Sequence, residues 1–176
     1  LLRPRMVGAA DPGEDATAFV REVLMPGGPW QQPRLEAGAS AFRLRLDRSR
    51  IHRWGVYADQ DIPARRRVIE YTGQRIGLRE GFRRRLRPQL YLFRCSARRL
   101  IDGGIGGSGA QYINHGCEPN LAARFDHRRV FLLSLRPIAA GEELLFDYHL
   151  RGEIDPIPCR CGAALCRGFL NEPEPG

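Results

Sequence analysis

Gln111-Tyr-Ile-Asn-His-Gly-Cys-Glu-Pro-Asn120 decides how the rest of the chain is read. It sets an amide, an imidazole and a thiol side by side, then closes on Pro119. Downstream, three further cysteines follow as Cys159-x-Cys161-x4-Cys166, with Arg167-Gly168-x-Leu170-Asn171 behind them. Together with Cys117 they make four thiols, the number that closes a tetrahedral structural zinc site. Two disulfides, or free thiols, are the alternative. The odd fifth residue, Cys95, argues against a fully disulfide-bonded secreted scaffold and suits a reducing intracellular compartment. Between the two halves lies Glu142-Glu143-Leu-Leu-Phe-Asp-Tyr148.

The 176 residues suffice for one domain with its own core, and 43% apolar and 27% charged residues are ordinary for a globular chain. No apolar run approaches the ~18 residues of a membrane span, and Leu1-Leu-Arg-Pro-Arg5 carries no signal-peptide apolar region. No membrane partner is expected. The first residue is not methionine, as in a fragment of a longer protein.

All 28 basic residues are arginine. With the abundance of Ala, Gly and Pro, this suggests a GC-rich, more often bacterial, genome. Residues 41–151 hold 22 Arg against 11 Asp plus Glu, whereas both ends are slightly acidic. Arg65–Arg67, Arg83–Arg85 and Arg128-Arg129 are among the clusters. Such a middle can recruit DNA or nucleoprotein in a salt-sensitive way, with Arg83–Arg85 as the expected contact. The plainer reading is a solvated face. A basic substrate would then need a local acidic groove, for which Glu118, Asp126, Glu142 and Glu143 are the candidates.

Residues 1–40 are rich in Gly and Pro and read as a loose extension, with a short helix near Thr17–Leu24. From Ala41, apolar Phe42, Leu44 and Leu46 alternate with charged residues, the signature of a half-buried strand. Short strands are expected at Ser49–Tyr57, Ile62, Val68–Tyr71, Tyr91–Arg94 and Leu100–Asp102. A hairpin follows over Leu121–Phe125 and Val130–Leu135, then a strand near Leu144–Tyr148. One helix is expected within Arg79–Leu90, where Phe82, Leu86 and Leu90 recur at helical spacing and Pro88 ends it. Gly103–Gly109 reads as a flexible loop. It lacks the Lys-Ser/Thr ending of a phosphate-binding loop.

From about Phe42 to Asn171 these motifs, in this order, resemble the SET-domain protein-lysine methyltransferases with a cysteine-rich post-SET tail. Ser49-x-Ile-His52-x-Trp54-Gly55 looks most like the Trithorax-type branch. The resemblance implies a mainly β fold of small curved sheets, with a C-terminal pseudoknot and a zinc-bound tail. It divides the chain into an extension (1–40), the SET domain (41–150) and the post-SET tail (151–176).

The resemblance also implies an S-adenosylmethionine-dependent lysine methyltransferase acting on histone or other DNA-associated tails, in nucleus, cytoplasm or nucleoid according to source. Activating partner proteins are common in that branch. By resemblance, Tyr148 is the catalytic tyrosine, Tyr91 lines the cofactor side, and Tyr71 lines the lysine channel. Phe146 occupies the product switch and implies a di- or trimethyl product. His52, Trp54, Gly55, Asn114, His115 and Arg160 fall on cofactor-contacting positions, Asn114 through its side-chain amide and backbone. Cys117, Cys159, Cys161 and Cys166 fall on the zinc ligands.

Arg53 stands where the family's cofactor turn has its first glycine, and Ser108, Gln111 and Gly116 also depart from the pattern. A catalytically weak SET module binding chromatin or nucleic acid is therefore the second reading. A plain zinc-stabilised nucleic-acid-binding domain is the third. Its expected aromatics, interleaved with the arginine clusters, are mostly missing.

Overall fold

A computed structural model describes residues 33–85, 91–150 and 156–172. The helix expected near Thr17–Leu24 lies outside the described residues, as do Leu86, Pro88 and Leu90. The rest is mainly β. Strands β1 (Leu44–Arg48) and β2 (Trp54–Ala58) form an antiparallel hairpin. Strands β4 (Gln74–Gly77), β5 (Leu92–Arg94) and β6 (Arg99–Asp102) form a second sheet, ordered β4-β6-β5.

The largest sheet contains β3 (Arg67–Glu70), β7 (Asn114–His115), β8 (Leu121–Asp126), β9 (Arg129–Ser134) and β10 (Leu145–Phe146). Its order is β3-β9-β8-β10-β7. The β8–β9 hairpin is the one legible in the sequence. Its turn is taken by His127 in the left-handed region, at φ 53°. Val130 and Leu132 on the central strand β9 are fully buried. They pack with Val56, Ile69, Leu121, Ile138 and Leu144 into one core shared by the sheets.

Strand β10 runs parallel to both β7 and β8 and lies between them. Those two strands are joined by residues 116–120, so the C-terminal segment enters beneath that connection. This is the expected pseudoknot. Asn120, 2% exposed, fixes it: its amide nitrogen donates to the Glu143 carbonyl, and its amide oxygen accepts from the Leu145 N–H, both at 2.8 Å. Buried backbone groups that a sheet edge would leave unpaired are satisfied this way.

Three expectations need correction. The helix α1 spans Leu78–Arg84, but Phe82 is 71% exposed and Arg84 takes the inner face. The Arg84 guanidinium donates to Glu80 at 2.7 Å and to the fully buried Asp102 at 2.6 Å. An arginine bonded twice to carboxylates is a satisfied interior group, so Arg83–Arg85 is not one basic patch.

The loop before Ala110 is not slack. Ser108 is fully buried and donates to the Glu70 carbonyl at 2.5 Å, while the Asp102 carboxylate accepts from the Gly104 N–H. Three of the four acidic-groove candidates are engaged by the chain itself, Asp126 with Arg67, Glu142 with Arg136 and Glu143 turned inward to Asn114, while Glu118 is exposed. Residues 35–41 lie against the body: Leu35 packs on the core, and the Glu36 and Ala41 N–H groups donate to Ser108 and Val68 carbonyls.

Candidate active site and metal centre

A cavity of about 560 Å³ opens where five segments meet. The β1–β2 turn contributes His52, Arg53 and Trp54. Tyr91 immediately precedes β5, Tyr112 comes from the turn before β7, and Asn114 and His115 are β7 itself. Tyr148 follows β10, and the tail adds Pro158, Cys159, Arg160 and Leu170. A volume of this size, with aromatic walls and a few polar groups, suits a nucleoside-sized ligand. His52, Trp54, Tyr91, Asn114, His115, Tyr148 and Arg160, singled out separately in the sequence, are thus brought together.

Arg53 sits at the apex of the turn with φ 43°. That is the left-handed region glycine favours, so the arginine holds this backbone at some conformational cost. Gly55 does not line the cavity. A Cβ there would lie 2.3 Å from the Glu143 carboxylate, so the glycine makes room for that side chain.

Glu143 is the functional residue that the sequence reading missed as an interior group. Its carboxylate accepts from Asn114 Nδ2 at 2.8 Å, the Ser49 hydroxyl at 3.0 Å and the Tyr57 hydroxyl at 3.1 Å. Asn114 Nδ2 also donates to the Trp54 carbonyl at 2.9 Å. The Asn114 amide nitrogen is therefore engaged in holding the β1–β2 turn against β10. The available signal was Gly55 itself, a residue without a side chain two positions after Arg53.

Tyr148 stands where the cavity meets an aromatic cluster. Its hydroxyl donates to the Ile113 carbonyl at 2.9 Å, and its backbone N–H donates to His115 Nδ1 at 3.2 Å. Behind it, ring centroids run from Tyr148 to Phe146 at 4.9 Å, Phe146 to Phe93 at 6.1 Å and Phe93 to Tyr71 at 4.9 Å. Tyr71 and Phe146 lie in this cluster rather than on the cavity wall, and the Tyr71 hydroxyl donates to the Tyr91 carbonyl at 2.9 Å. Phe93 completes the cluster and was passed over in the sequence as an ordinary strand residue. Burial pushes the Tyr91 phenol up to about 12 and raises Tyr148 and Tyr71 well above the ordinary range. Burial, then the cations Arg53 and Arg160, lowers His52.

The four thiols converge. Cys117 Sγ lies 3.7 Å from Cys159 and 3.9 Å from Cys166, and all four ligand atoms fall within 4.8 Å of one another. A regular tetrahedron with ~2.3 Å Zn–S bonds has S–S edges of about 3.8 Å. The set therefore fits zinc. Because His115 Nδ1 accepts from Tyr148, its proton is on Nε2, which lies 3.4 Å from Cys117 Sγ and donates to it. The imidazole thus links the thiol cluster to the Tyr148 backbone.

Arg167 is the second lock. It grips Asp147 with two bonds of 2.6 and 2.8 Å and donates to the Phe169 and Leu170 carbonyls. Burial works against the charge on Asp147, yet the Arg167 guanidinium holds its carboxyl down to about 2.

The SET-domain family model matches residues 53–149. The chain is 42% identical over 139 residues to the H3 lysine-4 specific histone-lysine N-methyltransferase of Saccharomyces cerevisiae, covering 70% of this chain and 13% of the yeast protein. It is 38% identical over 138 residues to the histone-lysine N-methyltransferase set-2 of Caenorhabditis elegans, covering 73% of this chain and 9% of that protein. Among solved structures it resembles KRYPTONITE in complex with mCHG DNA and SAH, with a TM-score of 0.64, 31% identity, and coverage of 74% of this chain and 29% of that one. The chain thus spans a small part of these relatives' lengths, and on these matches, the family model and the threaded β10, it belongs to the SET-domain family.

Proposed function

We propose that the chain is an S-adenosylmethionine-dependent protein-lysine N-methyltransferase acting on a histone or other DNA-associated tail. The observation that carries this reading is the junction at Tyr148: a nucleoside-sized cavity on one side, a closed aromatic cluster on the other. Trp54, Tyr91 and His115 line that cavity with aromatic surface, the kind of wall a sulfonium cation favours. S-adenosylmethionine, when bound, supplies an electrophilic methyl group. Everything else falls to the chain's own residues.

The Tyr91, Tyr71 and Tyr148 phenols are raised by burial and stay protonated at neutral pH, so none is a base matched to that pH. The lysine ammonium, with an ordinary pKa of ~10.4, must therefore lose its proton another way. Its entry into the aromatic cluster disfavours the charged form, and the proton departs to solvent. Phe146, Phe93 and Tyr71 exclude water from the neutral amine. The Tyr148 hydroxyl, its proton committed to Ile113, keeps lone pairs free to orient the reacting groups. Zinc at the four cysteines would pin the tail, and with it Arg160 and Leu170, over the cavity. The thiols imply a reducing compartment, and accessory activators remain part of the proposal. Among the described residues no helix is long and apolar enough to cross a membrane.

The test is methyl transfer from labelled S-adenosylmethionine to purified core histones and to a nucleoid protein extract. Transfer to lysine supports the reading. Protein that binds the cofactor and transfers nothing to either substrate would instead support the weak chromatin-binding module.

A further inference from the structure

A second cleft, of about 400 Å³, lies at the far end of the aromatic cluster. Phe125 lines it and meets Phe93 at 6.2 Å between ring centroids, so the cleft adjoins the residues assigned to the amine channel. Its basic lining is Arg75 on β4, Arg99 on β6, and His127 and Arg128 at the β8–β9 turn, with Cys95 and Ser96 beside them. All four basic residues are exposed, and among the described residues no carboxylate lines the cleft. The neighbouring acids are engaged: Asp126 by Arg67 at 2.8 Å, with its other oxygen 3.8 Å from the His127 ring, and Glu70 by Arg129 at 2.6 Å. Arg75 donates to the Arg128 carbonyl, which fixes the two arms together. Phe125 is 57% exposed beside these cations.

Folding does not explain this arrangement. Arg75, Arg99 and Arg128 line one cleft without an acidic partner among the described residues, whereas Arg84, Arg129, Arg136 and Arg167 are each paired with a carboxylate. A buried-edge aromatic is left half bare among them. Guanidinium forks suit phosphate oxygens, and an exposed ring suits a nucleobase.

We propose that this cleft binds a nucleic-acid backbone beside the channel mouth, with Arg75, Arg99 and Arg128 on phosphates. The inference rests on the reading of a DNA-associated substrate and names the surface that would receive it. It also relieves a conflict of charge. A lysine-rich tail is repelled by the arginine-rich middle unless the polyanion it is bound to screens both.

The probe is a fluorescein-labelled DNA duplex, with its single strand as a second arm, read by anisotropy across a salt series. Three neutralised phosphates on a duplex give a slope of log K against log salt of about −2.7, and on a single strand about −2.1. Arg99→Glu with Arg128→Glu should make the duplex slope shallower by about 1.8. Neither side chain has an ion pair or a side-chain hydrogen bond among the described residues, so the fold should persist. If the pair melts early, Arg99→Gln with Arg128→Gln takes its place. Phe125→Ala should weaken the single strand by about tenfold and the duplex little. Arg83→Glu with Arg85→Glu should leave both unchanged.

Unaltered slope in the cleft variants overturns the proposal, as does loss confined to the Arg83–Arg85 variant. Polyglutamate of equal charge displacing the duplex one for one also overturns it, in favour of an acidic protein segment. The readout is binding, so absence of methyl transfer would count against the enzyme reading alone.

Discussion

Asp147→Asn removes one negative charge at the joint between the tail and the segment carrying Tyr148. The Asp147 side chain is only 15% exposed, and both carboxylate oxygens are held by Arg167. Its carboxyl falls from the ordinary 3.8 to about 2. At 1.36 kcal/mol per pKa unit, the fold favours the ionised form by about 2–3 kcal/mol. Asparagine keeps the shape but loses that preference and one acceptor of the guanidinium fork. Arg167 then holds the Phe169 and Leu170 carbonyls alone, and the tail wall of the cavity loosens.

If that energy maintains the closed wall, S-adenosylmethionine affinity by calorimetry should fall roughly 30- to 100-fold, at ~1.4 kcal/mol per tenfold. Zinc content should not change. The sign of the pH dependence is fixed. A carboxyl held below its ordinary pKa contributes fully above about pH 4 and loses its contribution only as the pH falls toward 2. The gap between wild type and variant should therefore be flat across the neutral range. Affinity within twofold of wild type, or a gap that closes between about pH 8 and pH 6, would refute the reasoning.

Asn114→Ala should weaken cofactor binding by about 1–3 kcal/mol, because the Trp54 carbonyl and the Glu143 carboxylate lose a shared donor; calorimetry against saturating turnover separates binding from rate. Elemental analysis should find about one zinc per chain, and chelation or Cys161→Ser should expose residues 156–172 to protease and abolish transfer. Active protein without zinc would contradict this. Wild-type protein should yield di- or trimethyl-lysine, and Phe146→Tyr should shift it toward monomethyl. The ring stands 4.9 Å from Tyr148 and 6.1 Å from Phe93, and an added hydroxyl there can anchor a water in the space a methylated amine needs. Mass spectra of a peptide under excess cofactor decide it, and wild type halting at one methyl group would count against the switch.

Alternation of apolar and charged residues made β1 legible, whereas β8 and β9 showed as two apolar runs around the polar Asp126-His127 turn. Strand β7, only two residues long, is specified by its neighbours β10 and β2 rather than by period. The threaded position of β10 has no local signature: it depends on Asn120, whose two bonds reach Glu143 and Leu145 more than twenty residues later. The arginine runs misled for a physical reason. Adjacent residues on a helix point in different directions, so Arg84 turns inward to Asp102 while Arg83 stays in solvent. Cys117 and the tail cysteines were legible as a set because four thiols and one tetrahedron match in number. Glu143 was not, since a glutamate beside a glutamate reads as surface until Gly55 and Asn114 are seen around it.

Methyl transfer by the wild type and by Tyr148→Phe, measured side by side with cofactor affinity, tests the central claim most directly. The substitution removes only the hydroxyl that donates to Ile113 at the junction of cavity and cluster. Lysine methylation by the wild type is expected. In the variant, turnover should fall by at least about tenfold, a loss of ~1.4 kcal/mol of transition-state stabilisation, while calorimetric affinity for S-adenosylmethionine stays within about twofold. Full turnover in the variant, or methyl groups from wild type landing on a residue other than lysine, would contradict the account.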